Sequence, residues 1–173
     1  MSEPATDLPI STAQRWLDRL AQIAIAVSAS ALLGLVVVQG WQVFTRYVLN
    51  DSPSWTEPFT VLLLSTAMSL GAAAGVHTRR HFGFFLLADH AHAGVRRGLE
   101  ALRAFLIGAT GVVLARWSAV LLLDGLDIKT AGADLPQSIN YLPLSIGGAL
   151  MAVFALHQLW LALRPNTTAE GDR

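Results

Sequence analysis

The residues of this chain best suited to chemistry are its histidines and one arginine. His77 and His81 stand at i and i+4, a spacing that presents two imidazoles on one helix face to a metal ion, and His90 and His92 follow. A helical zinc-protease site needs a Glu beside its first His, but Thr78 stands there instead. The same stretch carries Arg79, Arg80, Arg96, Arg97 and Arg103, which disfavour a bound cation. These histidines therefore read as interfacial polar residues. His157 and His77 would form a haem pair if two helices held them at similar depth; a single hydrogen-bonded histidine is the simpler reading. Arg116 lies within a long apolar run. A charge there marks either a transport path or a side chain that snorkels to the interface or pairs with an acid such as Asp124. The second reading is preferred, because a path needs several converging polar groups. Asp51, Glu57, Asp124, Asp127 and Asp134 read as solvated acids. No Ser/His/Asp set or phosphate-binding glycine loop is present, and the absence of cysteine removes thiol and iron–sulfur chemistry. No enzyme activity, metal or cofactor is expected.

The elements that must hold these residues follow from composition. Of 173 residues, 53% are hydrophobic and only 14% are charged, against about 25% in a typical soluble domain. Twelve Lys+Arg balance twelve Asp+Glu. Zero net charge excludes nucleic acid as the main partner, and high hydrophobicity excludes a disordered chain. An integral membrane protein remains. A span needs about 20 mostly apolar residues. Four stretches qualify, at about 20–38, 59–76, 104–123 and 139–163. The expected fold class is all-α: a four-helix membrane bundle over residues 11–163, with 1–10 and 164–173 as disordered tails.

Nine of the twelve basic residues flank the ends that share a side with both termini, whereas Arg46 and Lys129 alone lie on the other. Basic residues in short loops stay cytoplasmic, so both termini are expected inside. Ala29-Ser30-Ala31 looks like a signal-peptide cleavage site. The apolar run around it is too long for a signal core of 7–15 residues, and it reads as a retained span.

Local signals set the element ends. Ser11 to Gln14 fits a capping box, so the first helix is expected to begin there and to run along the interface, with Trp16 as anchor, before it enters the membrane. Asn50-Asp51-Ser52-Pro53 is turn punctuation. The second helix is expected to start near Thr56, which leaves Pro58 in its first turn. The segment Phe82 to Leu87 is too short to span and is expected to lie along the interface, ahead of a helix from about Ala93. Pro143 predicts either a kink in the fourth span or a helix that begins after it. Ala26, Ser30 and Gly34, and likewise Ala67, Gly71 and Gly75, repeat every four residues. Such stripes let backbones approach closely, either inside the bundle or against a partner helix. Ser145, Gly148 and Ala149 offer a similar surface in the fourth span.

The stretch Val43-Phe44-Thr45-Arg46-Tyr47-Val48-Leu49-Asn50, followed by Trp55-Thr56-Glu57, resembles the first outer hairpin of the DctQ-like small membrane subunit of TRAP (tripartite ATP-independent periplasmic) transporters. The family shows V-F-x-R-Y-x-x-N and then W-x-E. Gly71-Ala72-Ala73 leading into Arg79-Arg80-His81, and the fourth-span start from Asn140 through Tyr141, Pro143 and Gly147 to Leu150, are similar to its later motifs. The likeness runs in order over about residues 15–163. It departs at Pro58, where a second acid often follows the W-x-E motif. The resemblance implies a static subunit that braces a large TRAP membrane subunit, which would hold the substrate and sodium sites, and that helps to dock a periplasmic substrate-binding protein. The implied cargo is an organic acid, and the implied location is a bacterial inner membrane. It also implies structural roles for Arg46, Tyr47, Asn50, Trp55 and Glu57 in the hairpin, and it agrees with Trp16, Trp41, Arg79 and Arg80 as lipid anchors.

Overall fold

The computed structural model describes residues 12–78, 93–130 and 135–163. The tails and the segment 79–92, with Arg79, Arg80, His81, His90, His92 and the Phe82–Leu87 stretch, lie outside the described residues, as does the proposed cap Ser11. Four helices, α1 (Thr12–Val48), α2 (Thr56–His77), α3 (Ala93–Asp124) and α4 (Tyr141–Leu163), carry the fold. All four are long and apolar enough to cross a membrane. At about 1.5 Å per residue, α1 reaches roughly 55 Å and outruns a 30 Å hydrocarbon core. It is therefore the continuous extension-plus-span that the cap signal predicts.

The helix ends follow the proline and turn chemistry. α2 begins at Thr56, so Pro58 sits in its first turn, where a missing N–H costs no helical bond. Pro143 does the same for α4, which starts at Tyr141 behind a 3-10 turn at Gln137–Asn140. Neither a kink nor a later start is needed. Where a helix begins depends on the residues before the proline, and those form the 3-10 turn.

The bundle is open. α1 packs on α2, α2 on α4, and α4 on α3, so the helices stand in the row α1–α2–α4–α3. Each joint is a seam of small residues. In α1 the buried positions are Leu17, Ala21, Ala24, Ser28, Ala31 and, further on, Thr45. Their steps of four and three average 3.5 residues, the period that keeps one stripe facing a partner helix along its whole length. In α3 the steps repeat through Ala104, Gly108, Gly111, Ala115 and Ser118. A β-carbon added at Gly111 would stand 2.8 Å from the Gly148 carbonyl oxygen and from the Ala152 nitrogen, and one at Gly148 would stand 2.7 Å from the Ala115 nitrogen. α3 and α4 thus meet backbone to backbone. Gly147 meets α2 in the same way, its absent β-carbon lying 2.6 Å from that of Ser69. At the end where the chain enters, the seams converge on Phe154, 1% exposed, among Leu17, Ala21, Ala73, Val76 and Ala155. The opposite helix faces carry bare apolar side chains such as Leu33, Val36 and Val37, about 70% exposed, as a lipid-facing surface requires.

The close joint gives a matched test. Gly111→Ala adds one methyl against backbone atoms and is expected to cost roughly 1–3 kcal/mol. Gly40→Ala adds the same methyl where nothing lies within 4 Å, and is expected to be neutral or stabilising by up to about 1 kcal/mol. Unfolding of the purified chain by SDS titration reads both.

Candidate functional site

Polar side chains gather at the two ends of the bundle. At the end where α1 begins, Asp18 on α1 and His77 on α2 approach to 2.7 Å. A carboxylate only accepts, so His77 Nε2–H is the donor. The His77 ring lies 4.8 Å from that of Phe154 on α4. One turn further along α4, Gln158 joins two more helices. Its Nε2 donates to the Val76 carbonyl on α2, and its Oε1 accepts from Arg103 Nη2 on α3 at 3.1 Å. Val76 lies in the last turn of α2, where carbonyls lack helical donors. The Ala74 carbonyl takes its regular helical bond from the Thr78 N–H at 3.0 Å and also accepts the Thr78 hydroxyl at 3.1 Å. Asp18, His77, Gln158 and Arg103 therefore form a clamp that closes the end of α2 and ties all four helices together.

At the hairpin end, the turn between α1 and α2 is held by two buried threonines. Thr45, 3% exposed, donates its hydroxyl to the Trp41 and Gln42 carbonyls. Its own carbonyl accepts the N–H of both Leu49 and Asp51. That double acceptance wraps the chain around Asn50, which takes φ 53°, a left-handed conformation that Asn tolerates better than most residues. Thr56, fully buried, donates to the Pro53 carbonyl at 2.8 Å. The sequence points to this turn but not to its fasteners. Thr45 and Thr56 fall inside the hairpin motif, and only their burial separates them from its exposed members.

Those exposed members are placed as follows. Arg46, Tyr47, Asn50, Trp55 and Glu57 all lie on the surface of the hairpin. Tyr47 is 80% exposed, and the Trp55 ring sits edge-on to Phe59. Among the described residues no ion pair joins Arg46 to Glu57, so neither fastens the turn by one. The predicted stripes divide. Ala67 and Gly71 serve the α1–α2 joint: the Ser28 hydroxyl donates to the Ala67 carbonyl at 2.8 Å, and Gly71 leaves room for that hydroxyl. Gly34 lies against Leu63, and Gly75 is half-buried. Ala26 and Ser30 stand exposed, on the side of α1 away from its seam. In α4, Ser145 and Gly148 meet α3, whereas Ala149 is exposed. Trp16 is 61% exposed with the Arg19 guanidinium 5.8 Å over its ring, and Trp41 is half-exposed.

The other chemical candidates are placed as follows. His77 is engaged by Asp18, and the ring of His157 lies beside that of Trp160 on its own helix. Among the described residues no group of three His, Cys, Asp or Glu could hold a metal ion. Arg116 is exposed on α3 and makes no ion pair with Asp124.

With this geometry in place, a family comparison is decisive. The sequence model of the family described as tripartite ATP-independent periplasmic transporters, DctQ component, matches residues 35–165. That is more than half of the chain, and the chain belongs to this family. Comparison with curated proteins gives no match.

The clamp is testable without any partner. Gln158→Leu takes a donor from the Val76 carbonyl and an acceptor from Arg103 together, and is expected to cost roughly 1–2 kcal/mol. A double-mutant cycle of Asp18→Ala and His77→Ala is expected to give a coupling of about 0.5–1 kcal/mol. The low figure reflects an Asp18 side chain that is 45% exposed, hence partly screened by solvent. SDS unfolding of the single and double variants measures both.

Proposed function

We propose that this small TRAP transporter subunit acts as a rigid brace for the large membrane subunit, in a sodium-coupled system that imports an organic acid delivered by a periplasmic binding protein. The carrying observation is how its interhelical polar groups are used. Ser28, Ser65 and Ser69 each donate to a backbone carbonyl of a neighbouring element, of Ala67, Asn140 and Pro143 respectively. Gln158 does the same at Val76. Groups committed to backbone acceptors fix helix positions; they do not converge on a path for a moving solute. A brace also needs a surface to present. Ala26 and Ser30 offer a smooth strip on α1, and Arg46, Tyr47, Asn50, Trp55 and Glu57 offer exposed polar and aromatic groups at one end.

The orientation that fits the charge distribution puts both termini in the cytoplasm and the Asn50–Trp55 hairpin in the periplasm, where it can meet the large subunit and the binding protein. Trp16, Trp41, Arg79 and Arg80 then act as lipid anchors. The chain has no cysteine, so single-cysteine labelling is clean. Ser52→Cys is expected to react with a membrane-impermeant maleimide in intact cells, and Gly98→Cys only after lysis. The reverse pattern overturns the orientation.

Arg46 and Glu57 test the brace. Neither has a partner within the chain among the described residues, so Arg46→Ala and Glu57→Ala are expected to leave stability within about 0.5 kcal/mol of the parent. Co-purified large subunit or substrate uptake is expected to fall by roughly tenfold, as when a desolvated interfacial charge is truncated. Unchanged complex yield together with unchanged uptake in both variants refutes the reading.

A further inference from the structure

Between the last turns of α1 and the start of α2 lies an open groove of about 520 Å³. Val37, Val38 and Trp41 line its end toward the middle of α1, and Leu49, Asp51 and Trp55 its end at the hairpin turn. Val37 sits roughly 18 Å along the helix axis below Leu49, within the apolar length of α1. The groove therefore runs from the end of the apolar run 20–38, at the hydrocarbon edge, outward to headgroup level. Asp51 is its one charged lining residue, exposed and with no side-chain partner among the described residues. Trp41 and Trp55, 47% and 40% exposed, are the two aromatic residues that share the lining with it.

We propose that this groove binds one aminophospholipid from the leaflet on the hairpin side. The glycerol end of its acyl chains lies along Val37, Val38 and Trp41, and its ethanolamine ammonium is held at Asp51 beside the tryptophans. The chemistry selects this occupant. A carboxylate makes charge-assisted hydrogen bonds to an ammonium, and indole faces attract cations. A phosphatidylglycerol headgroup carries net negative charge and no ammonium, and so meets Asp51 with repulsion. A choline headgroup keeps the positive charge but has no N–H to donate. A net-neutral lipid that is apolar at the inner end of the groove and presents an ammonium at its outer end matches the lining. The inference needs only that the chain spans a membrane, and it is independent of the transport role.

The test uses the full-length chain in detergent, titrated with phosphatidylethanolamine, phosphatidylglycerol or phosphatidylcholine of matched acyl chains and read by native mass spectrometry. Phosphatidylethanolamine is expected to bind about tenfold more tightly than phosphatidylglycerol, with phosphatidylcholine between them. Asp51→Asn is expected to shrink that preference to about twofold or less. Val37→Trp fills the groove from its exposed side and is expected to weaken phosphatidylethanolamine binding by a similar factor while the chain stays folded. Tryptophan quenching by brominated phosphatidylethanolamine is expected to exceed quenching by brominated phosphatidylglycerol in the parent but not in Asp51→Asn. Equal binding of the two lipids by the parent, a preference that survives Asp51→Asn, or phosphatidylethanolamine binding unchanged by Val37→Trp each overturns the proposal.

Discussion

Between helices in a bilayer there is no water to expel, and lipid tails are as apolar as leucine. Association therefore rests on how closely two backbones can approach. This chain meets that constraint at each joint of its row. α3 and α4 touch through Gly111 and Gly148, α4 and α2 through Gly147 and Ser69, and α1 and α2 through Ser28 and Gly71. A gap of even 0.5–1 Å forfeits a quarter to a half of each dispersion contact, so one methyl at such a point acts along the whole joint. The period follows from the same need. A stripe that drifts round its helix loses the partner after two turns; steps of four and three hold it in place from Leu17 to Thr45 in α1.

Interhelical hydrogen bonds add position more than strength. In membranes such bonds average about 0.6 kcal/mol, less than the roughly 1–3 kcal/mol at stake when one close contact is overpacked. Their value lies in direction. Ser28 at the Ala67 carbonyl sets the register of α1 against α2. Ser69 at the Pro143 carbonyl sets α2 against the start of α4, and Gln158 at the Val76 carbonyl sets the end of α2 against α4. Two fixed points near opposite ends of α4 leave it little freedom to slide or turn on α2.

Much of the fold is legible in the sequence, because hydrocarbon imposes its demands residue by residue. Four apolar runs, the start of α2 at Thr56 and the continuous helix through Trp16 all follow from composition, turn residues and caps. The seams are less legible. Ala26, Ser30 and Gly34 repeat every four residues, but a step of four alone drifts round the helix, and the stripe that meets α2 alternates four and three through Ala21, Ala24, Ser28 and Ala31. In a segment where nearly every residue is apolar or small, composition does not separate the lipid side from the protein side. The clamp is less legible still. Asp18 and His77 stand 59 positions apart, and Gln158 and Val76 stand 82 apart. No local pattern links such pairs; only the row order brings them together.

The two ends of the molecule then divide their polar groups differently. At the clamp end Asp18, His77, Arg103 and Gln158 are turned inward on one another and on the end of α2. At the hairpin end the turn is fastened by Thr45 and Thr56, neutral side chains that reach only backbone carbonyls. That choice frees the charges beside them. Had Arg46 and Glu57 closed the turn, their loss would unfold it, and their heads would be unavailable to anything else. Because threonine hydroxyls do the fastening, Arg46, Asp51 and Glu57 can stay at the surface, where water and headgroups solvate them at little cost. A turn fastened by neutral groups leaves Arg46, Asp51 and Glu57 with no fastening duty in it.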